Sequence, residues 1–173
     1  MLVNLSDVFT SEGRRISMEV PLEMTCFQSG AACFEIREKS PVSFTFSNME
    51  AGKVKVEGNV SLKLQTSCDR CLSEVITALD LPFERVVLSP EAEDREAVDD
   101  LSFMEGYQLN TETFVFNEII GNWPAKILCR EDCKGLCPVC GQNLNERECG
   151  CDTFVPDPRM AVIQDIFNAN KEV

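Results

Sequence analysis

Alternation of apolar and polar positions dominates the first half of the chain. Ile16, Met18 and Val20 alternate with polar neighbours and stop at Pro21, which predicts a strand. Val42, Phe44 and Phe46 repeat the pattern after Pro41. Val54 and Val56 keep the same period, Glu57-Gly58-Asn59 reads as a turn, and Val60, Leu62 and Leu64 resume it. That reading makes a hairpin running into Cys68. Beyond Cys71, Val75, Thr77, Leu79, Leu81 and Phe83 alternate as a further strand. Residues 1–15 are mixed and open on a short extended segment, and residues 22–39 show no clear period. The first half therefore predicts an antiparallel sheet with one apolar face.

The pattern then breaks. Residues 89–106 carry Glu91, Glu93, Asp94, Glu96, Asp99, Asp100 and Glu105 against Arg95 alone, the signature of a solvated loop. A helix is expected from Thr111, capped by Asn110 or Thr111, with Phe114, Val115 and Ile119 on its apolar face and Gly121 and Pro124 at its end. A second helix is expected after Asp157-Pro158, where Met160, Ile163 and Phe167 form a stripe widened by Val162 and Ile166. The organisation is thus a β-rich part over 1–88 and an acidic loop over 89–106. Residues 107–173 then supply helices and a cysteine cluster, packed on the first part as one domain. The fold class is α+β: an antiparallel sheet, open or curled into a partial barrel, with two helices and a cysteine-rich loop region.

With 173 residues, the chain is long enough to bury a core without disulfide staples. Yet ten residues are cysteine and none is histidine. The missing imidazole removes Ser-His-Asp and Cys-His catalysis and histidine metal ligands. The start lacks a basic flank followed by an apolar stretch, and no apolar run approaches a membrane span. The expected compartment is the reducing cytoplasm, where clustered cysteines serve as metal ligands more often than as disulfides.

Eight cysteines form four close pairs. Cys68 and Cys71 make one C-x2-C, and Cys137 and Cys140 make another. Cys129 with Cys133 and Cys149 with Cys151 flank the second. A two-residue gap lets both thiolates meet one ion, and four thiolates make a closed tetrahedral zinc site. Four pairs predict two structural zinc ions with no open coordination position. Spacing does not fix which pairs join. Loop closure favours Cys137, Cys140, Cys149 and Cys151 as a local site, leaving Cys68, Cys71, Cys129 and Cys133 for a long-range one. A redox dithiol or an iron–sulfur cluster uses the same ligands. The redox motif, however, wants a strand-to-helix junction, and Cys68 lies between two predicted strands. Cys26 and Cys33 have no partner at ligand spacing and read as small buried hydrophobes. Gly135 and Gly141 are placed for turns with positive φ, and Asn143 and Asn145 for bonds to loop backbone or ligand sulfurs. Arg70 is assigned a local structural role ahead of an exposed contact role. Trp123 is assigned to the core.

These cysteine motifs resemble the YceD family, also called DUF177. The resemblance rests on Cys68-Asp69-Arg70-Cys71-Leu72, the run from Cys129 to Asn145, Cys149-x-Cys151, and Asp157-Pro158-Arg159. It implies a bacterial cytosolic protein needed for accumulation of large-subunit ribosomal RNA, often encoded beside a small zinc-binding protein of that subunit. Some members keep the CxRC knuckle while losing most later cysteines. The family supplies no catalytic residues to carry over.

Charge qualifies what that role can be. The formal net charge is −13, with 16 basic against 29 acidic residues. Residues 84–125 alone hold a net −8. Two zinc ions on eight thiolates would take the total to about −17. Phosphate contact needs lysine and arginine, so an indirect action on rRNA is expected, through a basic ribosomal protein or an assembly factor. Direct RNA contact would need a patch built from Arg14, Arg15, Lys53, Lys55 and Lys63, which reads more simply as a solvated sheet face. A thiol redox protein or redox-sensitive zinc switch is the alternative. A metal-dependent hydrolase ranks last, because the carboxylates cluster in a loop and not around a cleft. No small-molecule substrate is implied.

Overall fold

The computed structural model describes residues 1–50, 52–92 and 102–152. The chain divides into two compact units, Met1–Ser67 with Glu74–Ile127, and Cys68–Ser73 with the chain from Leu128 onward.

The first unit is built on β6 (Lys53–Ser67), whose alternating Val54, Val56, Val60, Leu62 and Leu64 are all buried. Along one edge it pairs with β7 (Glu74–Leu88) over its whole length, from Lys53↔Leu88 to Ser67↔Glu74. Its other edge is shared. The first half pairs with β5 (Val42–Glu50) and the second with β4 (Ala32–Lys39). β2 (Arg15–Val20) extends β5, and β3 (Cys26–Ser29) extends β4. All these pairings are antiparallel. The path ends on β2 and β3, and no pairing among the described residues closes it into a barrel. A small sheet forms from β1 (Leu2–Asn4), β9 (Gln108–Asn110) and β8 (Met104–Glu105).

Two helices occur among the described residues. The helix expected from Thr111 is present as Thr111–Gly121, here α2; Asn110 Oδ1 accepts from Thr113 N–H at its start. Phe114, Val115 and Ile119 are buried. The Phe114 ring meets Phe44, Phe83 and Phe103 edge-on, which seats the helix on the sheet. The other helix, α1 (Ser6–Thr10), is too short for a readable period. Asn4 Oδ1 starts it by accepting from Ser6 N–H and Oγ, and Val8 and Phe9 bury themselves in the core. The helix expected after Asp157 lies outside the described residues.

Three expectations need correction. Glu57-Gly58-Asn59 is no turn, since β6 passes straight through it. Gly58 occupies a core-facing slot opposite Phe44 and Phe83, and a Cβ there would collide with the Ser43 carbonyl and the Phe83 ring. The glycine makes room for a ring and does not bend the chain. The true hairpin turn is at Gly52, with φ +77°. Cys26 and Cys33 are not buried hydrophobes either. They form a disulfide across the β3–β4 hairpin, with Cys26 half-buried and Cys33 exposed. Seven residues apart in sequence, they are brought together by a two-residue turn at Gly30. Finally, the margins of the 89–106 segment are not solvated loop. Ser89 is buried and donates its N–H to Gly52 O, and Phe103 and Met104 belong to the core. The acidic stretch 93–101 is outside the described residues.

Candidate metal centres

Both C-x2-C motifs fold into the same loop. In the first, which interrupts the β6–β7 connection, Leu72 N–H bonds to Cys68 O at 2.9 Å and Cys68 N–H to Ser73 O at 2.8 Å. In the second, Gly141 N–H bonds to Cys137 O at 2.9 Å and Cys137 N–H to Gln142 O at 2.8 Å. Each loop requires a left-handed residue just after its second cysteine: Gly141 at φ +72°, and Leu72 at φ +60°. Leucine bears a Cβ penalty there that glycine does not. The loop turns backbone N–H groups onto the first sulfur. At Cys68, burial opposes ionisation, but the N–H groups of Arg70, Cys129 and Cys71 outweigh it and bring the thiol down to about 6. At Cys137 the N–H groups of Cys140 and Val139 do the same, again to about 6, against burial.

The first quartet is Cys68, Cys71, Cys129 and Cys133, whose sulfurs all lie within 4.8 Å of one another. Cys68 Sγ stands 3.8 Å from Cys133 Sγ, and Cys71 Sγ stands 3.6 Å from Cys129 Sγ. Sulfurs at the corners of a tetrahedron with ~2.3 Å bonds would be about 3.8 Å apart. Cys68, Cys71 and Cys133 are buried, and Cys129 is exposed. The Ser73 hydroxyl, 3.2 Å from Cys71 Sγ, lowers that thiol, helped by the Ser73 N–H. Cys129 is pushed up to about 12, first by lost hydration around its sulfur and then by Cys71, Cys133 and Cys68. Gathering several thiolates without a cation is costly, and the cost falls on Cys129, which holds its proton well above the pH at which Cys68 loses its own.

The second quartet is Cys137, Cys140, Cys149 and Cys151, also within 4.8 Å of one another. Only Cys137 is buried. Cys140 and Cys149 push Cys151 up to about 12, with burial adding to the effect. At Cys149 the Cys151 N–H favours the thiolate, but Cys137, burial and Cys140 together raise it. Leu136 bridges Asn143, and Leu144 N–H bonds to Gly135 O, so the knuckle sits on a short ribbon.

Arg70 and Asn145 act at the first quartet. Arg70 donates to Cys133 O at 2.8 Å, and its own carbonyl accepts from Leu136 N–H at 3.1 Å. Gly135, at φ +79°, allows this approach, because a Cβ there would stand 3.1 Å from Arg70 O. Asn145 lies in sequence between Cys140 and Cys149, yet its Nδ2 donates to Cys133 Sγ at 3.3 Å. Its Oδ1 accepts from Lys134 N–H and Arg130. Asn143 Oδ1 holds Asn145 in place by accepting its N–H and Nδ2. Ser73 and Leu72 were missed by sequence reasoning. The repeat of C-x2-C-x-x in two copies was the available signal, since both loops close on the sixth residue.

The donor set fits a thiophilic ion. Each quartet supplies four cysteine sulfurs, and backbone N–H groups favour the thiolate at four of the eight, Cys68, Cys71, Cys137 and Cys149. Among the described residues neither group includes a carboxylate. The arrangement could hold two metal ions, with every corner taken by protein. The basic residues considered for direct RNA contact are mostly engaged elsewhere. Arg14 pairs with Asp7, Lys53 with Glu50, Lys63 with Glu38, and Lys55 with both Glu57 and Glu84. Trp123 is partly buried and packs on Phe27 and Phe34. No helix among the described residues is long and apolar enough to cross a membrane.

The family described as large ribosomal RNA subunit accumulation protein YceD matches residues 56–167, which include all eight quartet cysteines. Uncharacterized proteins of Mycobacterium bovis and Mycobacterium tuberculosis are 26% identical to the chain over 121 residues. That alignment covers 69% of this chain and 58% of each relative, so the chain spans little more than half the length of those proteins. No solved structure matches the chain. The chain belongs to the YceD family.

Proposed function

We propose that this member of the YceD family is a non-enzymatic, cytoplasmic factor that promotes accumulation of large-subunit ribosomal RNA. Two structural zinc ions organise it, one on Cys68, Cys71, Cys129 and Cys133, the other on Cys137, Cys140, Cys149 and Cys151. The observation that carries this reading is the pair of preformed four-sulfur sites. A site whose four corners are all protein sulfurs has no position for substrate or activated water, so its metal shapes the fold and does no chemistry. Arg70 and Asn145 support the first site from outside, and Asn143 orients Asn145.

The chain acts on rRNA through a basic ribosomal protein or an assembly factor. A net charge of −13 repels phosphate and attracts such partners. The ion-paired lysines of the sheet leave little free positive charge for RNA. Affinity capture with the zinc-loaded full chain is expected to recover a basic ribosomal or assembly protein. Converting Glu91, Glu93, Asp94, Glu96, Asp99 and Asp100 to lysine should abolish that capture. Unchanged capture by the charge-swapped chain would sink the adaptor role, and RNA cleavage by the pure protein with magnesium would sink the non-enzymatic one. A redox-sensitive zinc switch is the second reading, favoured by the exposure of the second quartet.

A further inference from the structure

Within the first unit, two strand edges face each other without pairing. β4 is bonded to β3 from Cys26↔Glu35 to Ser29↔Ala32. Its other edge joins β6 only from Ile36 onward, opposite Leu64, with a register shift just beyond. β6 continues to Ser67, but over Gln65–Ser67 its ladder runs to β7 alone. The two strands fork at that point and enclose a cleft of about 440 Å³ between 32–35 on one wall and 65–67 on the other. Arg37 closes the base of the fork by donating to Gln65 Oε1 and pairing with Glu35 at 3.0 Å. Phe27 anchors in the core the hairpin that forms one wall.

In a ladder, alternate residues direct their N–H and C=O groups to opposite sides. Each wall of the cleft therefore offers backbone donors and acceptors that no strand among the described residues uses. Edges of this kind are templates for an added strand. The charged residues lining the walls are Glu35 and Glu74, both exposed; Arg37 at the base already pairs with Glu35, and no other lysine or arginine is among the described lining residues. We propose that the cleft takes an extended, lysine- or arginine-bearing segment of a partner protein as an inserted strand. A second copy of this chain is disfavoured, because its own edge would bring the same two carboxylates against these. The open run of β6 is three residues long, about 10 Å of strand. The contact is therefore one foothold among several for a larger partner.

This deepens the adaptor reading and rests on it, but its test is separate. A fluorescent heptapeptide alternating lysine and valine is titrated into the full zinc-loaded chain by anisotropy. A second peptide alternates lysine and proline, with the same charge but half its N–H groups removed. The first is expected to bind at least about tenfold tighter, equivalent to about 1.4 kcal/mol. It should also slow amide exchange at 32–35 and 65–67. Glu35→Lys with Glu74→Lys should weaken it at least about tenfold, whereas the distant pair Glu12→Lys with Glu19→Lys should not. Equal binding of the two peptides, or equal loss in the two double variants, would reduce the effect to net charge and overturn the proposal. So would protection of the same amides by self-association without peptide. Partner capture undiminished by Glu35→Lys with Glu74→Lys would overturn the cleft and leave the adaptor reading standing. Peptide binding without any partner capture would do the reverse.

Discussion

At the first quartet three of four cysteines are buried, and its sulfurs come from segments 58 and 65 residues apart. At the second only Cys137 is buried, and all four cysteines fall within residues 137–151. The knuckle is the same in both, down to its two backbone hydrogen bonds. The surroundings differ. Arg70, Ser73 and Asn145 all bond to the first quartet or its backbone. One loop motif has thus been used twice, once as a long-range clamp and once as a local clip. Their energetics should differ accordingly. Closing a loop of about 58 residues costs about 1.7 kcal/mol more than closing one of about 9, and the burial and the bonds from Arg70, Ser73 and Asn145 at the first quartet should outweigh that cost.

The sharpest way to break this comparison is to remove one ligand from each site. Cys68→Ser should cost at least about 3 kcal/mol and disorder the second unit, because zinc binding there is folding energy. Cys137→Ser, at the more exposed quartet, should cost less and leave the first site loaded. Thermal unfolding of the two variants, with zinc counted per chain, checks this. Equal losses would mean the two sites are energetically alike.

Asn145 offers a subtler test, because its sequence position and its contact disagree. Asn145→Ala should weaken zinc at the first quartet about tenfold or more and leave the second unchanged. Competition with a zinc chelator assigns the effect: the first site is read in the Cys137→Ser background, and the second as the first ion lost from the chain carrying Asn145→Ala alone. A loss at the second site instead would contradict the observed bond.

The twin left-handed positions give a smaller effect. Gly141→Leu should destabilise by about 1 kcal/mol, whereas Leu72→Gly should be neutral or slightly stabilising. Leu72 is 66% exposed, so truncating it forfeits little packing. A marked loss in Leu72→Gly would show that its side chain does more than occupy the turn.

The smallest effect concerns pH without metal. Cys68 and Cys137 sit at about 6, below the ordinary thiol value near 9. A depressed thiol stabilises the fold above its unfolded pKa and loses that contribution as pH falls through its folded one. Whatever fraction of the second unit stays folded after chelation should therefore shrink as pH drops from 9 to 6. Cys68→Ser should flatten that slope, measured as the unfolding midpoint against pH.

Much of this was legible in the sequence, and the failures have physical causes. Period-two patterning located β2, β5, β6 and β7, because each buries one face. Loop closure picked the grouping of cysteines that the structure brings together. Gly58 misled because a glycine that opens a turn and one that admits a ring look alike until the facing Phe83 is known. Cys26 and Cys33 misled because their proximity depends on a hairpin with no alternating pattern. Asn145 bonds both loop backbone and a ligand sulfur, as expected, but that the sulfur is Cys133 of the other quartet depends on the fold of the ribbon, which spacing does not encode.

The most direct test is native mass spectrometry of the protein purified without added metal, followed through a chelator titration. Two zinc ions per chain are predicted, the first lost easily from the exposed quartet and the second only as the second unit unfolds. Metal-free protein with eight reactive thiols, or two ions lost together from a chain that stays folded, would contradict the zinc clamp.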